Sequence, residues 1–177
     1  AGILDTSRFK YFLSQELKIP VNKIKSLVLG GHGDSMVAMV DQTEIEGIKL
    51  NELVKEGKIK KERLEEIIER TKKGGAEIVK YLEKGSAFYA PAASGVEMAD
   101  SYLNNKKKQL PCAVYLNGEY NTSNIYAGVP VVIGGNGVEK IIELNLSDSE
   151  LKNFQNSIES VKELFNAAIK IDPTLKD

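Results

Sequence analysis

Two Asn-Gly dipeptides, at residues 117–118 and 136–137, constrain the fold of this chain more than any other local feature. They border three apolar segments rich in Val, Ile and Leu, at residues 110–116, 125–133 and 138–144. Asn-Gly is a strong turn signal because both residues accept the positive φ angles of tight hairpin turns. The C-terminal part of the chain is therefore predicted to form strands of an antiparallel sheet.

The N-terminal part shows a helix followed by extended segments. Apolar side chains recur at a spacing of four in residues 6–17, which predicts a helix that Pro20 ends. Residues 24–29 are rich in Ile, Val and Leu and are predicted to form one buried strand. Residues 37–40 and 44–48 are predicted as short strands with a polar turn between them.

The middle of the chain is charged and mostly helical. A helix is predicted over residues 51–73 with a break at Gly57, and Gly74-Gly75 interrupts the pattern before it resumes. Pro91 is tolerated early in the next helix. Near the C-terminus, Ser147 and Glu150 form a capping box that predicts the start of a long final helix.

The order helix, sheet, helices, sheet, helix indicates an α+β domain rather than a repeated βαβ unit. Mixed, largely antiparallel sheets packed with long helices are expected, including the long C-terminal helix. The 177 residues, without internal repeats, fit one domain of ordinary size.

Composition excludes several classes of function. The formal net charge of −1 argues against nucleic-acid binding, which normally needs a basic excess. No stretch approaches the ~20 apolar residues of a membrane span, and the first residues lack the plan of a signal peptide. The single cysteine, Cys112, lies in an apolar run, so a buried thiol in a reducing cytoplasm is expected.

His32 is the only histidine, and it lies between glycines directly after the predicted strand. Histidine is the side chain best suited to exchange protons near neutral pH, and loops at strand ends often carry function. A lone loop histidine is, however, more often structural or incidental. One histidine also rules out a two-histidine zinc site, and no metal is expected.

Asp5 and Arg8 are three residues apart near the start of the first helix, so they share a face. Asp5 could instead be an N-cap, with Arg8 on the surface. If both face a pocket with His32, Asp5 would orient the imidazole and Arg8 would offer a planar fork for a carboxylate. Such a set suits a substrate that carries a carboxylate and a hydroxyl or carbonyl group.

Four blocks of the sequence resemble the lactate and malate dehydrogenase family. Residues 4–9 read L-D-T-S-R-F, which is similar to the family's L-D-[ST]-x-R-[FL] segment, and residues 29–37 read L-G-G-H-G-D-S-M-V, which resembles its active-site block. Further matches are G-S-A-F-Y-A-P-A-A-S at residues 85–94 and G-V-P-V-V-I-G at residues 128–134. Gly31 and Met36 resemble the malate branch of the family. Lactate dehydrogenases usually carry Glu at the position of Gly31 and lack the methionine.

The resemblance implies a role for each matching residue. His32 would protonate the carbonyl oxygen of oxaloacetate and remove that proton from malate in reverse, while Asp5 holds the far ring nitrogen. Arg8 would bind the substrate carboxylate. Ala87 would line the substrate pocket, and Pro91 would lie near the nicotinamide of NAD.

The resemblance also implies a domain organisation. Residues 1–177 would be a single catalytic C-terminal domain of an NAD-dependent malate dehydrogenase, without the N-terminal Rossmann domain that binds NAD. No G-x-G-x-x-G motif occurs in the chain. The isolated domain is therefore expected to be inactive, and homo-oligomers are expected from the family. A lactate or other 2-hydroxy-acid dehydrogenase, and a non-catalytic oligomerisation module, are the alternatives.

Overall fold

The computed structural model describes residues 1–176. The helices are α1 (Gly2–Leu17), α2 (Leu50–Lys55), α3 (Lys61–Lys72), α4 (Gly74–Leu82), α5 (Tyr89–Leu103) and α6 (Asp148–Ile171). The strands are β1 (Ile24–Lys25), β2 (Val28–Gly30), β3 (Met36–Ala38), β4 (Glu44–Ile45), β5 (Ile48–Lys49), β6 (Lys108–Asn117), β7 (Ser123–Gly134) and β8 (Gly137–Ile141).

The strands form two antiparallel sheets. A small sheet has the order β1-β4-β5, and a larger one has the order β3-β2-β7-β6, with β8 also paired to β7. The two Asn-Gly signals are confirmed as turns, because β6 pairs with β7 around the first and β7 with β8 around the second. The expected α+β class, with antiparallel sheets and a long C-terminal helix, is confirmed.

Two hydrophobic cores lie on either side of β2 and β3. One contains the inner faces of β6 and β7 with Phe154 from α6, and the other contains Phe9 and Leu13 from α1 with side chains from α2 and α3. Successive side chains of a strand point to opposite faces. Val28 accordingly enters the second core and Leu29 the first, which fixes β2, and the loop that follows it, between both.

The N-terminal predictions need three corrections. Residues 44–48 are not one strand, since β4 pairs antiparallel with β5 around a turn at residues 46–47. Helix α1 begins at Gly2 rather than at residue 6, so Asp5 lies inside the helix and is not its N-cap. Residues 24–29 are not one strand, since β1 belongs to the small sheet and β2 to the larger one. The chain changes sheet at Ser26, whose hydroxyl lies 2.8 Å from the Thr43 hydroxyl.

The remaining elements follow the sequence pattern with smaller differences. The break at Gly57 is confirmed by its φ of 73°, and the capping box of α6 is present with both of its hydrogen bonds. The strand predicted over residues 138–144 is too long, because β8 ends at Ile141. Within residues 1–176, no helix has the length and apolar character needed to cross a membrane.

Candidate active site

Asp5 and Arg8 project from one face of α1, as their spacing of three predicts. The helix is fixed against the larger sheet beside them, because the backbone N–H of Val28 donates to the Thr6 hydroxyl at 2.9 Å. The Asp5 side chain is only 1% exposed. Its carboxylate is therefore held at a defined place under the end of β2.

His32 lies in the loop that follows β2. The turn requires glycine at Gly30, whose φ is 83°, and an added Cβ there would lie 2.2 Å from the Ser157 hydroxyl. This turn brings the Nδ1 atom of His32 within 2.7 Å of the Asp5 carboxylate. The structure thus joins two residues that are 27 positions apart in the sequence.

The two partners of this pair differ sharply in exposure. Asp5 is buried, whereas the His32 side chain is 54% exposed. An ionised carboxylate can only accept hydrogen bonds, so Nδ1 is the donor and carries the proton. The opposite nitrogen, Nε2, then has a free lone pair in the neutral ring. The arrangement can accept a proton from a bound hydroxyl, and the buried carboxylate stabilises the imidazolium that forms.

Arg8 completes the cluster. Its side chain is 12% exposed, and its Nη1 atom lies 3.5 Å from the Asp5 carboxylate. The two ions are paired by distance but are not aligned for a hydrogen bond, and both Arg8 Nη1 and Asp5 Oδ1 are buried without a hydrogen-bond partner. A buried donor without a hydrogen-bond partner is costly, and the nearby charge of the Asp5 carboxylate offsets part of that cost.

The first residues of α4 lie against the Arg8 side chain. A Cβ added to Gly74 would lie 2.9 Å from the Arg8 Cδ atom and 3.1 Å from its Nε, whereas one on Gly75 would lie 4.0 Å from the guanidinium. The interruption predicted at these glycines is confirmed as a boundary between α3 and α4. Gly74 therefore leaves the space that the Arg8 side chain occupies.

Ala87 and Pro91 lie apart from this cluster. Ala87 is half-buried in the segment between α4 and α5, and Pro91 is exposed in the first turn of α5. Neither lines the cavities that His32 lines. Their neighbour Ala90 does share a cavity of about 380 Å³ with Arg8. Their roles stay predictions.

Ser157, on α6, was missed by the sequence reading. It is buried, and its hydroxyl bonds the loop that carries His32. No local pattern could have found it, because it is 126 residues from its partner Gly31.

Cys112 is buried in the hydrophobic core that contains the inner faces of β6 and β7. Burial raises the pKa of the Cys112 thiol, which disfavours the nucleophilic thiolate and agrees with the buried role expected for it. No group of three or more His, Cys, Asp or Glu side chains in residues 1–176 could hold a metal ion.

Comparison with known proteins identifies the family of this chain. The family model for the lactate/malate dehydrogenase alpha/beta C-terminal domain matches residues 3–171. A malate dehydrogenase from Pelagibacter ubique (strain HTCC1062) is 65% identical over 175 residues, which are 99% of this chain and 55% of that protein. The chain thus spans about half the length of this curated relative. It belongs to the lactate/malate dehydrogenase family.

Solved structures include both branches of the family. Malate dehydrogenase from Cryptosporidium parvum is 47% identical with a TM-score of 0.88, over 93% of this chain and 52% of that one. Lactate dehydrogenase from Eimeria maxima, solved with NADH and oxamate, is 42% identical with a TM-score of 0.92, over 98% of this chain and 52% of that one. The fold alone therefore does not separate malate from lactate.

Proposed function

We propose that this chain is the catalytic half of an NAD-dependent malate dehydrogenase, which interconverts (S)-malate and oxaloacetate. The observation that carries the proposal is the 2.7 Å pair between His32 and the buried Asp5, with Arg8 beside it. The 65% identity to a malate dehydrogenase supports the choice of substrate.

His32 moves the proton in this proposal. In malate oxidation, Nε2 takes the proton of the substrate hydroxyl, and in the reverse direction it returns that proton to the carbonyl oxygen of oxaloacetate. Asp5 accepts the hydrogen bond from Nδ1, keeps the ring in one tautomer and stabilises the imidazolium. Because Asp5 is 1% exposed, water competes little for this hydrogen bond.

Arg8 holds the substrate. Its planar guanidinium can bind a carboxylate through two parallel hydrogen bonds, and Arg8 lines a cavity of about 380 Å³. Binding the carboxylate there, on the same helix face as Asp5, would bring the adjacent carbon and its oxygen toward His32. The substrate is then oriented for proton transfer at that oxygen.

The residues of this chain also fit a nicotinamide cofactor as a neighbour. His32 is open on the side away from Asp5, so a molecule bound from outside can reach the same substrate carbon. A bound NAD would supply the hydride acceptor for malate oxidation, and a bound NADH would supply the hydride donor for the reverse reaction. Ala87 would contact the substrate and Pro91 the nicotinamide. Other contacts to NAD would come from a Rossmann domain outside residues 1–177.

A lactate or other 2-hydroxy-acid dehydrogenase is the second candidate. It is favoured by the 42% identity and the TM-score of 0.92 to the Eimeria maxima lactate dehydrogenase. His32, Asp5 and Arg8 would serve either substrate equally, because both substrates carry a carboxylate next to the reacting carbon. Malate and lactate differ at the end of the molecule away from this carboxylate, which residues other than these three must accommodate.

A fusion protein separates the candidates. The chain is joined to the part of the Pelagibacter ubique malate dehydrogenase that it does not cover, and NADH oxidation is followed with oxaloacetate or pyruvate. The intact relative is the control. We expect turnover with oxaloacetate and little with pyruvate. Preference for pyruvate would favour the second candidate, and no turnover with either would favour a non-catalytic oligomerisation module.

The chain alone is expected to have no turnover and no measurable affinity for NAD, because residues 1–177 would supply only half of the site. We further propose that the whole enzyme is a cytoplasmic homo-oligomer of central carbon metabolism, in the tricarboxylic acid cycle. The exposed apolar side chains of α4 and α5 support association, since such patches mark interaction surfaces. NADH oxidation by the 177-residue chain would contradict the first expectation.

A further inference from the structure

We infer that Ser157 is a positioning residue for His32, an inference that rests on the function proposed above. Ser157 lies on α6 and is 3% exposed. Its hydroxyl accepts a hydrogen bond from the backbone N–H of Gly31 at 2.8 Å and donates one to the backbone carbonyl of Ser35. One hydroxyl thus bridges the two ends of the short loop that carries His32.

The loop is built around this hydroxyl. A Cβ at Gly30 would lie 2.2 Å from the Ser157 Oγ and 2.9 Å from its Cβ. Any larger residue at position 30 would therefore clash with the serine. The neighbouring side chain of Val161 lies 3.4 Å from the corresponding position on Gly31. Helix α6 therefore packs directly against the loop backbone, and the serine is the polar contact within that packing.

The β2–β3 ladder holds the outer ends of the loop through the Gly30–Met36 pair, and Ser157 bonds the next residues inward, Gly31 and Ser35. Asp5 binds the imidazole, and the Ser35 hydroxyl donates a long hydrogen bond of 3.4 Å to the His32 carbonyl. Gly33 adopts a φ of 68° with open space beside it, so no side chain packs there. Loss of the Ser157 hydroxyl would leave the partly buried N–H of Gly31 and C=O of Ser35 without this partner.

The consequence concerns rate rather than substrate affinity. Asp5 and Arg8 are fixed by α1, whereas the backbone of His32 is fixed by α6 through Ser157. A shift of the loop would move Nε2 relative to a substrate that Arg8 still holds. Misplacement of a catalytic group by about 1 Å can cost about 100-fold in rate.

The first test uses the fusion protein described above. We expect Ser157→Ala to lower kcat about 10- to 100-fold with a nearly unchanged KM for oxaloacetate. Ser157→Cys, which keeps a weak donor and acceptor, should recover part of the loss. Ser160→Ala is the matched control, because this half-buried serine lies one turn further along α6 and bonds only the helix backbone at Asn156. It should keep the parental kcat.

The second test does not depend on turnover, and so separates this inference from the proposed function. Amide hydrogen exchange of the 177-residue chain should accelerate at residues 30–36 in Ser157→Ala and remain unchanged in α6 and in the β6–β7 pair. A kcat within twofold of the parent, or equal acceleration across the whole chain, would overturn the inference. If the alanine variant does not fold, the same two readouts on Ser157→Cys decide.

Discussion

The His32 cluster and the segment that carries Ala87 and Pro91 differ in how they are held. In the cluster, Asp5 and His32 are joined by a hydrogen bond, and the loop of His32 is tied to α6. By contrast, Ala87 and Pro91 lie in a segment bordered by exposed apolar side chains, among them Phe88 and Tyr89. The cluster has its partners inside residues 1–176, and the segment leaves apolar surface open.

The difference teaches which part of the site the chain can organise by itself. The buried carboxylate of Asp5 and the bridging hydroxyl of Ser157 hold His32, the proposed acid–base group, through contacts within residues 1–176. Exposed aromatic and aliphatic side chains are instead stabilised by whatever covers them. We therefore expect substitutions in the cluster to change chemistry, and those on the open apolar surface to change association.

The largest effect is expected for His32→Asn in the fusion protein. Asparagine can still bond Asp5 but cannot carry the proton, so kcat should fall about 10²- to 10⁴-fold. NADH binding, measured by fluorescence titration, should stay near the parental value. A variant with near-parental kcat would remove His32 from the mechanism.

Arg8→Lys should have the next largest effect. Lysine keeps the charge but presents one point in place of a planar fork, so KM for oxaloacetate should rise about 10- to 100-fold. The loss in kcat should be smaller than the loss caused by His32→Asn. Steady-state kinetics that show an unchanged KM would mean that Arg8 does not bind the substrate.

A matched pair of glycine substitutions tests whether Gly74 leaves the space that the Arg8 side chain needs. Gly74→Ala places a Cβ 2.9 Å from the Arg8 Cδ and should raise KM several-fold. Gly75→Ala, in the same helix, meets Arg8 only at 4.0 Å and should be neutral or stabilise the fold by about 0.4–1 kcal/mol. Equal kinetic effects in the two variants would show that Gly74 has no special relation to Arg8.

The smallest effect is expected when an exposed apolar side chain of α5 is replaced. Leu103 of α5 is 76% exposed, so Leu103→Ser should change the free energy of unfolding by no more than about 0.5 kcal/mol. Light scattering should show less self-association. Leu116→Ala, at a fully buried position, is the control and should cost about 2–5 kcal/mol. A parent that stays monomeric at every concentration would contradict the association.

The features predicted correctly from the sequence are those that depend on the spacing of neighbouring residues. Ser147 and Glu150 are three residues apart and formed the expected capping box, and the Asn-Gly turns formed as expected. The start of α1 was misplaced because Ala1 provides no side-chain cap, whereas Asp5 offered a stronger local signal. Local signals therefore set element identity better than element ends.

Contacts between distant residues were beyond the local pattern. The division of residues 24–29 depends on pairing with Ile45 in one sheet and with residues of β3 in the other. The residue types offered a pocket shared by His32 and Asp5 as a hypothesis, and the family resemblance then paired the two residues, whereas Ser157 carried no signal at all. Long-range hydrogen bonds explain both the missed strand break and the missed residue.

Because His32 is the only histidine, its tautomer can be measured directly, which tests whether this chain alone orients its imidazole. Nitrogen-15 NMR of the 177-residue chain, labelled at histidine, reports the tautomer of His32 without overlap. We predict a neutral ring protonated at Nδ1 and bonded to Asp5, a state that Asp5→Asn weakens. A ring protonated mainly at Nε2, unaffected by Asp5→Asn, would contradict the claim that this chain alone orients its acid–base group.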